Sequence, residues 1–286
     1  MVPSSVTSDA YEQLRPLAFS IAYRMLGSVA EAEDVVQEAF LRLHRTGGEV
    51  EHPKAFVTTV TTRLAIDQLR SARRRRETYV GPWLPEPVVT DSRPDDDSVS
   101  MALLVTLESL SPVERAVFLL HDVFDYGYDE IAEIVGKSRD NCRQLALRAR
   151  RHVEARRTRF EPSREQREKL AARFFEAIRD GDLDGLVTML AEDAVITGDG
   201  GGKAAARLTP LHGGAKVARF LLGLARFGER HAYTYAFAEL NGHPGMLAFD
   251  GDQVVGAMTI DVVDSRIVAI HSQANPDKLG RLRAEH

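Results

Sequence analysis

The chain has 286 residues, 44% of them hydrophobic and 28% charged, with a formal net charge of −5; it can build about two cores, and any nucleic-acid binding must come from local patches because the protein is not globally basic. The single cysteine, Cys142, excludes an internal disulfide and a cysteine-based zinc site. No apolar run reaches the ~18–20 residues of a bilayer-spanning helix, and the N-terminus lacks the pattern of a signal peptide, so a reducing, cytoplasmic setting without a membrane is expected.

Residues 1–77 read as a helical domain whose pattern becomes clear from residue 9. Ala32, Val35, Val36, Ala39, Phe40 and Leu43 recur at helical spacing, and Glu31, Glu33, Asp34, Gln37 and Glu38 make the other face acidic. Gly47 and Gly48 follow, and Pro53 precedes a helix expected from Ala55 to about Arg75. In that helix Phe56, Val57, Val60 and Leu64 are expected inward. Thr58, Thr59, Thr61, Thr62, Arg63, Asp67 and Arg70 are expected outward. Arg70 and Arg73 to Arg76 form a first basic patch.

Residues 78–99 read as a linker. Pro82, Pro85, Pro87 and Pro94 forbid a long helix, and Asp91 and Asp95 to Asp97 make its end acidic. The only tryptophan, Trp83, sits in the segment WLPEP. Loose linkers are poor in aromatics, so Trp83 is expected to dock.

Residues 100–160 read as a second helical domain. Ser111-Pro112-Val113-Glu114 is a capping box with proline at the first helical position, opening a helix expected to end near Phe124. The stretch YDEIAEIVGKSRDNCRQLALRARR, Tyr128 to Arg151, reads as a helix-turn-helix. Ile131, Ala132 and Val135 supply an apolar face, Gly136 the left-handed turn residue, and Ser138 the next N-cap. The second helix turns Cys142, Leu145 and Ala149 inward and Arg139, Asn141, Arg143, Gln144 and Arg148 outward. Arg and Asn/Gln suit base edges in a major groove, and further arginines suit phosphates. Arg143, Arg148, Arg150, Arg151, Arg156, Arg157 and Arg159 form the second basic patch.

Residues 161–286 change character. Helices are expected over Glu165–Arg179, within GDLDGLVTML and over Ala215–Phe227. Strands are expected from Val195 and over Ala232–Leu240, Gly245–Phe249, Val254–Val263 and Arg266–Ser272, with turns at Asn241-Gly242 and Asp250-Gly251. Helices followed by a meander make an α+β cone, so the fold class is multidomain: two all-α domains and one α+β cone.

The order of these pieces resembles a bacterial RNA polymerase sigma factor of the extracytoplasmic-function class, over residues 9–77 and 100–155. AEDVVQEAFLRL resembles the region-two helix that docks on RNA polymerase, which implies polymerase contacts at Asp34, Gln37 and Glu38. AFVTTVTTRLAIDQLRSARRRRE resembles the helix that melts and reads the promoter minus-ten element, implying DNA contacts at Arg63, Asp67, Arg70, Arg73 and Arg74. ALLVTLESLSPVERAVFLLHDVF with the helix-turn-helix resembles region four, which reads the minus-thirty-five element, through Arg139, Asn141, Arg143, Gln144, Arg148 and Arg151. The chemistry agrees: an acidic helix suits a protein partner, and a Thr/Arg face suits a strand drawn from the stack. The implied partners are core RNA polymerase and promoter DNA.

The tail extends past the minimal family. WLPEP, DGGGK (Asp199 to Lys203) and NPDKL (Asn275, Pro276, Asp277, Lys278, Leu279) resemble the subgroup with a fused SnoaL-like, nuclear-transport-factor-two-like extension, which implies a built-in regulator. Trp83, Asp199, Lys203 and the NPDKL residues are therefore the regulatory candidates, with NPDKL expected against the linker or the sigma domains. No cofactor or metal is implied.

Candidate acids and bases for chemistry in the cone are Asp199, His212, Tyr233, Asp261 and His271. Each has a simpler reading: Asp199 orders a glycine turn, His212 precedes a loop, and His271 is a satisfied core histidine. The DGGGK backbone with Lys203 is a weak candidate phosphate cradle. The expectation is a non-enzyme. The alternatives are a stand-alone helix-turn-helix regulator sensing a small ligand in the C-terminal domain, and an enzyme with a DNA tether.

Overall fold

A computed structural model describes residues 5–46, 50–90, 100–154 and 163–282. Gly47, Gly48, the acidic end of the linker (Asp91, Pro94, Asp95 to Asp97) and Arg156, Arg157 and Arg159 lie outside the described residues. The chain divides into two compact units: Met1–Glu77 with Leu104–Arg157, and Thr78–Leu103 with Thr158–His286.

The first unit begins with α1 (Ser5–Leu26), α2 (Val29–Arg45) and α3 (Pro53–Arg76). Ser28 starts α2 by accepting a hydrogen bond from the Glu31 amide at 3.4 Å. Ala32, Val35, Val36, Ala39 and Leu43 are buried, as the periodicity requires. Helix α3 departs from expectation. Thr58, Thr61 and Thr62 are fully buried, while Phe56 and Leu64 are only half-buried. The inward residues are Val57, Ala65, Ile66, Leu69 and Ala72 together with the threonines. The cause is tertiary: α3 packs on α1 and α2 and also on helices from later in the chain, so more than one face is covered.

The later helices are α4 (Met101–Leu107), α5 (Pro112–Phe118), α6 (Tyr128–Val135) and α7 (Arg139–Glu154), and α5 and α6 pack on α3. The Ser111 amide donates to Glu114 at 3.1 Å, and the Glu114 amide donates to Ser111 Oγ at 3.3 Å, which completes the capping box. The α5 helix continues to the expected end, but its last stretch, Leu119–Val123, is a π-helical turn. Gly136 ends α6 with φ of 66°, a conformation that disfavours any residue with a β-carbon. Ser138 then accepts from the Asn141 amide at 3.3 Å. Ile131, Ile134, Cys142, Leu145 and Ala146 close the seam between α6 and α7.

In the second unit α8 (Arg164–Asp180), α9 (Leu183–Met189) and α10 (Gly214–Arg230) cover one face of a sheet. Its strands are β1 (Leu190–Asp199), β2 (Leu211–His212), β3 (Thr234–Leu240), β4 (His243–Asp250), β5 (Gln253–Val263) and β6 (Arg266–Gln273), in the order β2-β1-β6-β5-β4-β3. Strands β3 to β6 form the expected meander, and β1 joins β6 in parallel. Asn241 and Gly242 both have positive φ, as the tight hairpin turn demands. The turn at Asp264-Ser265 also has both residues at positive φ, without glycine. The opposite face buries Leu247, Phe249 and Ala257 under Leu279 and Leu282, with Val89 of the linker packed alongside. The short helix α11 (Pro276–Leu279) follows the last strand.

Candidate functional site

Helix α7 presents one long exposed face. Arg139, Asn141, Arg143, Gln144, Arg148 and Arg151 are all exposed, and every one stands clear of the buried seam of Cys142, Leu145, Ala146, Ala149 and Val153. Arg139 lies 3.5 Å from Asp129 and Arg148 lies 3.6 Å from Glu114, loose surface pairs that a phosphate can displace. A helix end rich in exposed arginine and amide side chains, held by a helix-turn-helix frame, has the geometry for entry into a major groove.

The basic face of α3 is arranged differently. Arg63 Nε donates to Ile134 O and its Nη2 to Glu133 O, both at 2.8 Å. These carbonyls sit at the end of α6, where backbone acceptors have no partner within the helix. Arg73 donates to the Glu108 and Leu110 carbonyls. Arg70 pairs with Asp67 at 2.9 Å on the surface, and Arg74 is exposed. Thr58 and Tyr126 share a hydrogen bond of 2.9 Å. Two of the four α3 arginines expected on DNA therefore hold the protein's own backbone in this arrangement.

Beneath them lies a buried charge knot the sequence reading missed. Glu108 pairs with Arg76 and with Arg115. Arg115 is 1% exposed and donates to Met25 O at 2.8 Å, and Arg76 donates to Leu26 O at 2.8 Å. Burial lowers the Arg115 guanidinium to about 10, with Glu108 opposing the fall, so it remains charged at neutral pH.

On α2, Asp34 and Gln37 are exposed, and Glu38 holds Arg42 at 2.7 Å.

The second unit holds the linker. Asp199 is fully buried at the end of β1. One carboxylate oxygen accepts from Tyr79 Oη at 2.6 Å and from the Gly201 amide at 3.0 Å. The other accepts from the Leu84 amide at 2.9 Å and from Lys278 Nζ at 2.7 Å. Lys278 also donates to Leu84 O at 2.6 Å and sits 4.2 Å over the Trp83 ring. Asn275 Nδ2 donates to Tyr79 Oη at 2.8 Å. Burial, followed by the bond to Asp199, raises the Tyr79 phenol well above its ordinary value.

Trp83, Asp199, Asn275 and Lys278 thus meet at one dock, and Tyr79 joins them. Pro276 opens α11, and Leu279 is buried beneath it. The DGGGK loop is not a phosphate cradle. The Lys203 and Ala204 amides donate to Gly200 O, the Gly201 amide is held by Asp199, and Lys203 pairs with Asp277 at 2.5 Å. Gly201, at φ of 59°, leaves room for Asn275: a β-carbon there would fall 2.3 Å from its Nδ2.

The candidate acids and bases do not converge. Asp199, Asp261 and His271 alternate with residues of the helix-covered core and so face the other side of the sheet. His271 Nε2 lies 2.8 Å from Asp261 Oδ2, but its Nδ1 is buried without a partner, so it is only partly satisfied. His212 is exposed on β2, and Tyr233 alone lines the cavity on the helix side.

Comparison with known proteins resolves the class. Residues 10–75 match Sigma-70 region 2, and residues 100–153 match Sigma-70, region 4. The ECF RNA polymerase sigma factor SigJ of Mycobacterium tuberculosis H37Rv is 40% identical over 286 residues, covering 94% of this chain and 91% of SigJ. The chain belongs to the ECF family of RNA polymerase sigma factors. The probable ECF sigma factor SigI of M. tuberculosis CDC 1551 is 33% identical, covering 97% of this chain and 96% of SigI. The crystal structure of M. tuberculosis SigJ superposes with a TM-score of 0.77 at 36% identity, covering 96% of this chain and 98% of that one. The relatives align across the C-terminal unit too, so the extension is part of the shared architecture. As a sigma factor the protein directs core RNA polymerase to promoters. Helices α1 to α3 fall in the region-two match, and α4 to α7 in the region-four match. Among the described residues no helix is long and apolar enough to cross a membrane.

Proposed function

We propose that this sigma factor reads the minus-thirty-five element with the outer face of α7, reads the minus-ten element with α3, and is controlled by its own C-terminal unit, acting in the cytoplasm where polymerase works. The observation that carries the first part is the exposed row from Arg139 to Arg151 on a helix whose other side is fully buried. Arg143 and Gln144 reach base edges, and Arg139, Arg148 and Arg151 reach phosphates. Asn141 works beside them. Arg63, Asp67, Arg70, Arg73 and Arg74 contact the opened strand, and Asp34, Gln37 and Glu38 face polymerase.

Alanine at Arg143 is expected to cost about 1–3 kcal/mol of promoter affinity and to relax specificity at one base pair, whereas alanine at Arg151 weakens all sequences alike. Promoter binding by the reconstituted holoenzyme, measured across single-base variants of the minus-thirty-five element, checks this. Equal losses on every variant for Arg143→Ala would remove its base-reading role.

The control follows from where α3 and the linker are held. Arg63 and Arg73 must release the carbonyls of region four before they can reach DNA, so the described arrangement of the first unit is a resting form. Asp199, Lys278, Trp83 and Asn275 hold residues 79–84 on the cone, and Lys203 with Asp277 braces the loop that supports them. Division of the chain into region two (1–77), linker (78–99), region four (100–160) and regulatory cone (161–286) fits this division of labour. A small ligand of the cone is the natural input to such control.

A further inference from the structure

On its helix-covered side the sheet is incompletely filled. A cavity of about 490 Å³ lies between the sheet, α8 and α10, within the ~300–1,000 Å³ span of small-molecule sites. Its floor exists because small residues from four adjacent strands stand in neighbouring rows. Gly198 on β1 pairs with Ser272 on β6, and Gly256 on β5 pairs with Ala248 on β4. A β-carbon at Gly256 would meet nothing closer than 3.5 Å, so packing does not require glycine there. The walls are aromatic and soft: Phe220, Phe227, Tyr233 and Tyr235, with Met246 and Met258 beside the floor. At the mouth Phe237 is 63% exposed and Tyr235 45% exposed. Such large apolar surface is ordinarily covered.

The charged lining residues, Glu176, Arg179, Arg207 and Glu229, are all exposed and balance in sign. No buried carboxylate or histidine lines the cavity, and its uncharged polar side chains are Ser272 on the floor, Tyr233 and Tyr235 above, the buried Gln273 and the exposed Gln253. We infer that the cavity is a binding site for a flat, uncharged, apolar ring compound carrying a hydroxyl or carbonyl group, held without turnover.

The geometry also says what such a ligand would touch. Gln273 and Leu279, which belong to the other face of the sheet, also border this space together with Pro276, and Gly198 precedes Asp199. The wall is therefore built from the same strand ends and the same short helix that hold Lys278 on the linker. This deepens the control reading above and rests on it only for the effect on transcription; occupancy is tested without polymerase.

The test titrates the full-length protein with N-phenyl-1-naphthylamine, an uncharged naphthyl fluorophore, and with its sulfonated relative 8-anilino-1-naphthalenesulfonate. Ala248→Leu and Ser272→Leu, made separately, fill the floor. Expected are saturable one-to-one uptake of the uncharged probe, weaker uptake of the sulfonate, and at least about tenfold weaker binding in each variant, with melting temperatures not below that of the parent. Energy transfer from Trp83, the only tryptophan, places bound probe in the second unit. The inference is overturned by absent or non-saturable uptake, by undiminished affinity in both folded variants, by preference for the sulfonate, or by a stable dimer that buries Tyr235 and Phe237 and takes up no probe.

Discussion

Glu108→Ala is expected to destabilise the helical unit by about 3 kcal/mol. Arg115 is buried and charged, and Glu108 is its only acidic partner among the described ion pairs. Removing that carboxylate strands one guanidinium in the interior and strips Arg76 of the same partner. The side chain of Glu108 is 22% exposed, which places the loss at the low end of the range for breaking buried pairs. The double variant Glu108→Ala/Arg115→Met should recover much of the loss, because an apolar side chain of similar length needs no counter-charge. Urea unfolding of the full chain followed by circular dichroism measures both. Because the knot joins Met25, Leu26 and Arg76 of region two to Glu108 and Arg115 of region four, the single variant should also loosen the hold on α3. Equal midpoints for parent and single variant would show that water replaces the pair without loss.

Lys278→Met is expected to release the linker. It leaves the Asp199 carboxylate buried without its cation, at a cost of about 3–5 kcal/mol, and removes the cation above Trp83. Since Trp83 is the only tryptophan, its emission reports the dock directly, and a shift to the red is expected. Asp199→Asn combined with Lys278→Met removes both charges and should restore part of the parent spectrum. If the emission of the single variant matched the parent, the ammonium would not be what holds the linker.

Local signals were the ones readable in the residues themselves. The Ser111–Glu114 box, Gly136 and the Asn241-Gly242 turn each depend on neighbours within a few positions. The periodicity of α2, the seam of α7 and the docking of Trp83 were legible for similar reasons: a helical stripe, or an aromatic out of place. The threonines of α3 were not, because α3 is covered by helices of region four, far away in sequence, as well as by α1 and α2, with Thr58 bonded to Tyr126. Arg63 and Arg73 read equally well as phosphate ligands or as caps for distant carbonyls, and only the fold decides which carbonyls are near. The Asp264-Ser265 turn carries no glycine and gave no signal. Tyr79, the Arg76–Glu108 pair and the hold of Arg115 on Met25 O were missed because these partners lie 120, 32 and 90 residues apart, and the nearer Glu108–Arg115 pair because a turn and a helix start separate its two ends. The cavity floor had a faint signature, small residues where strand alternation calls for large ones, at Gly198, Ala248, Gly256 and Ser272.

Run-off transcription with core RNA polymerase and promoter DNA tests the central claim most directly, comparing the full chain with Lys278→Met. Promoter-dependent transcripts from both are expected, with a higher initiation rate for the variant, because the released linker is free to span between the two promoter elements. Identical rates, with Trp83 shown to be released, would contradict control through the dock. Absence of promoter-dependent transcript from both proteins across a promoter library would contradict the proposed promoter reading by α3 and α7.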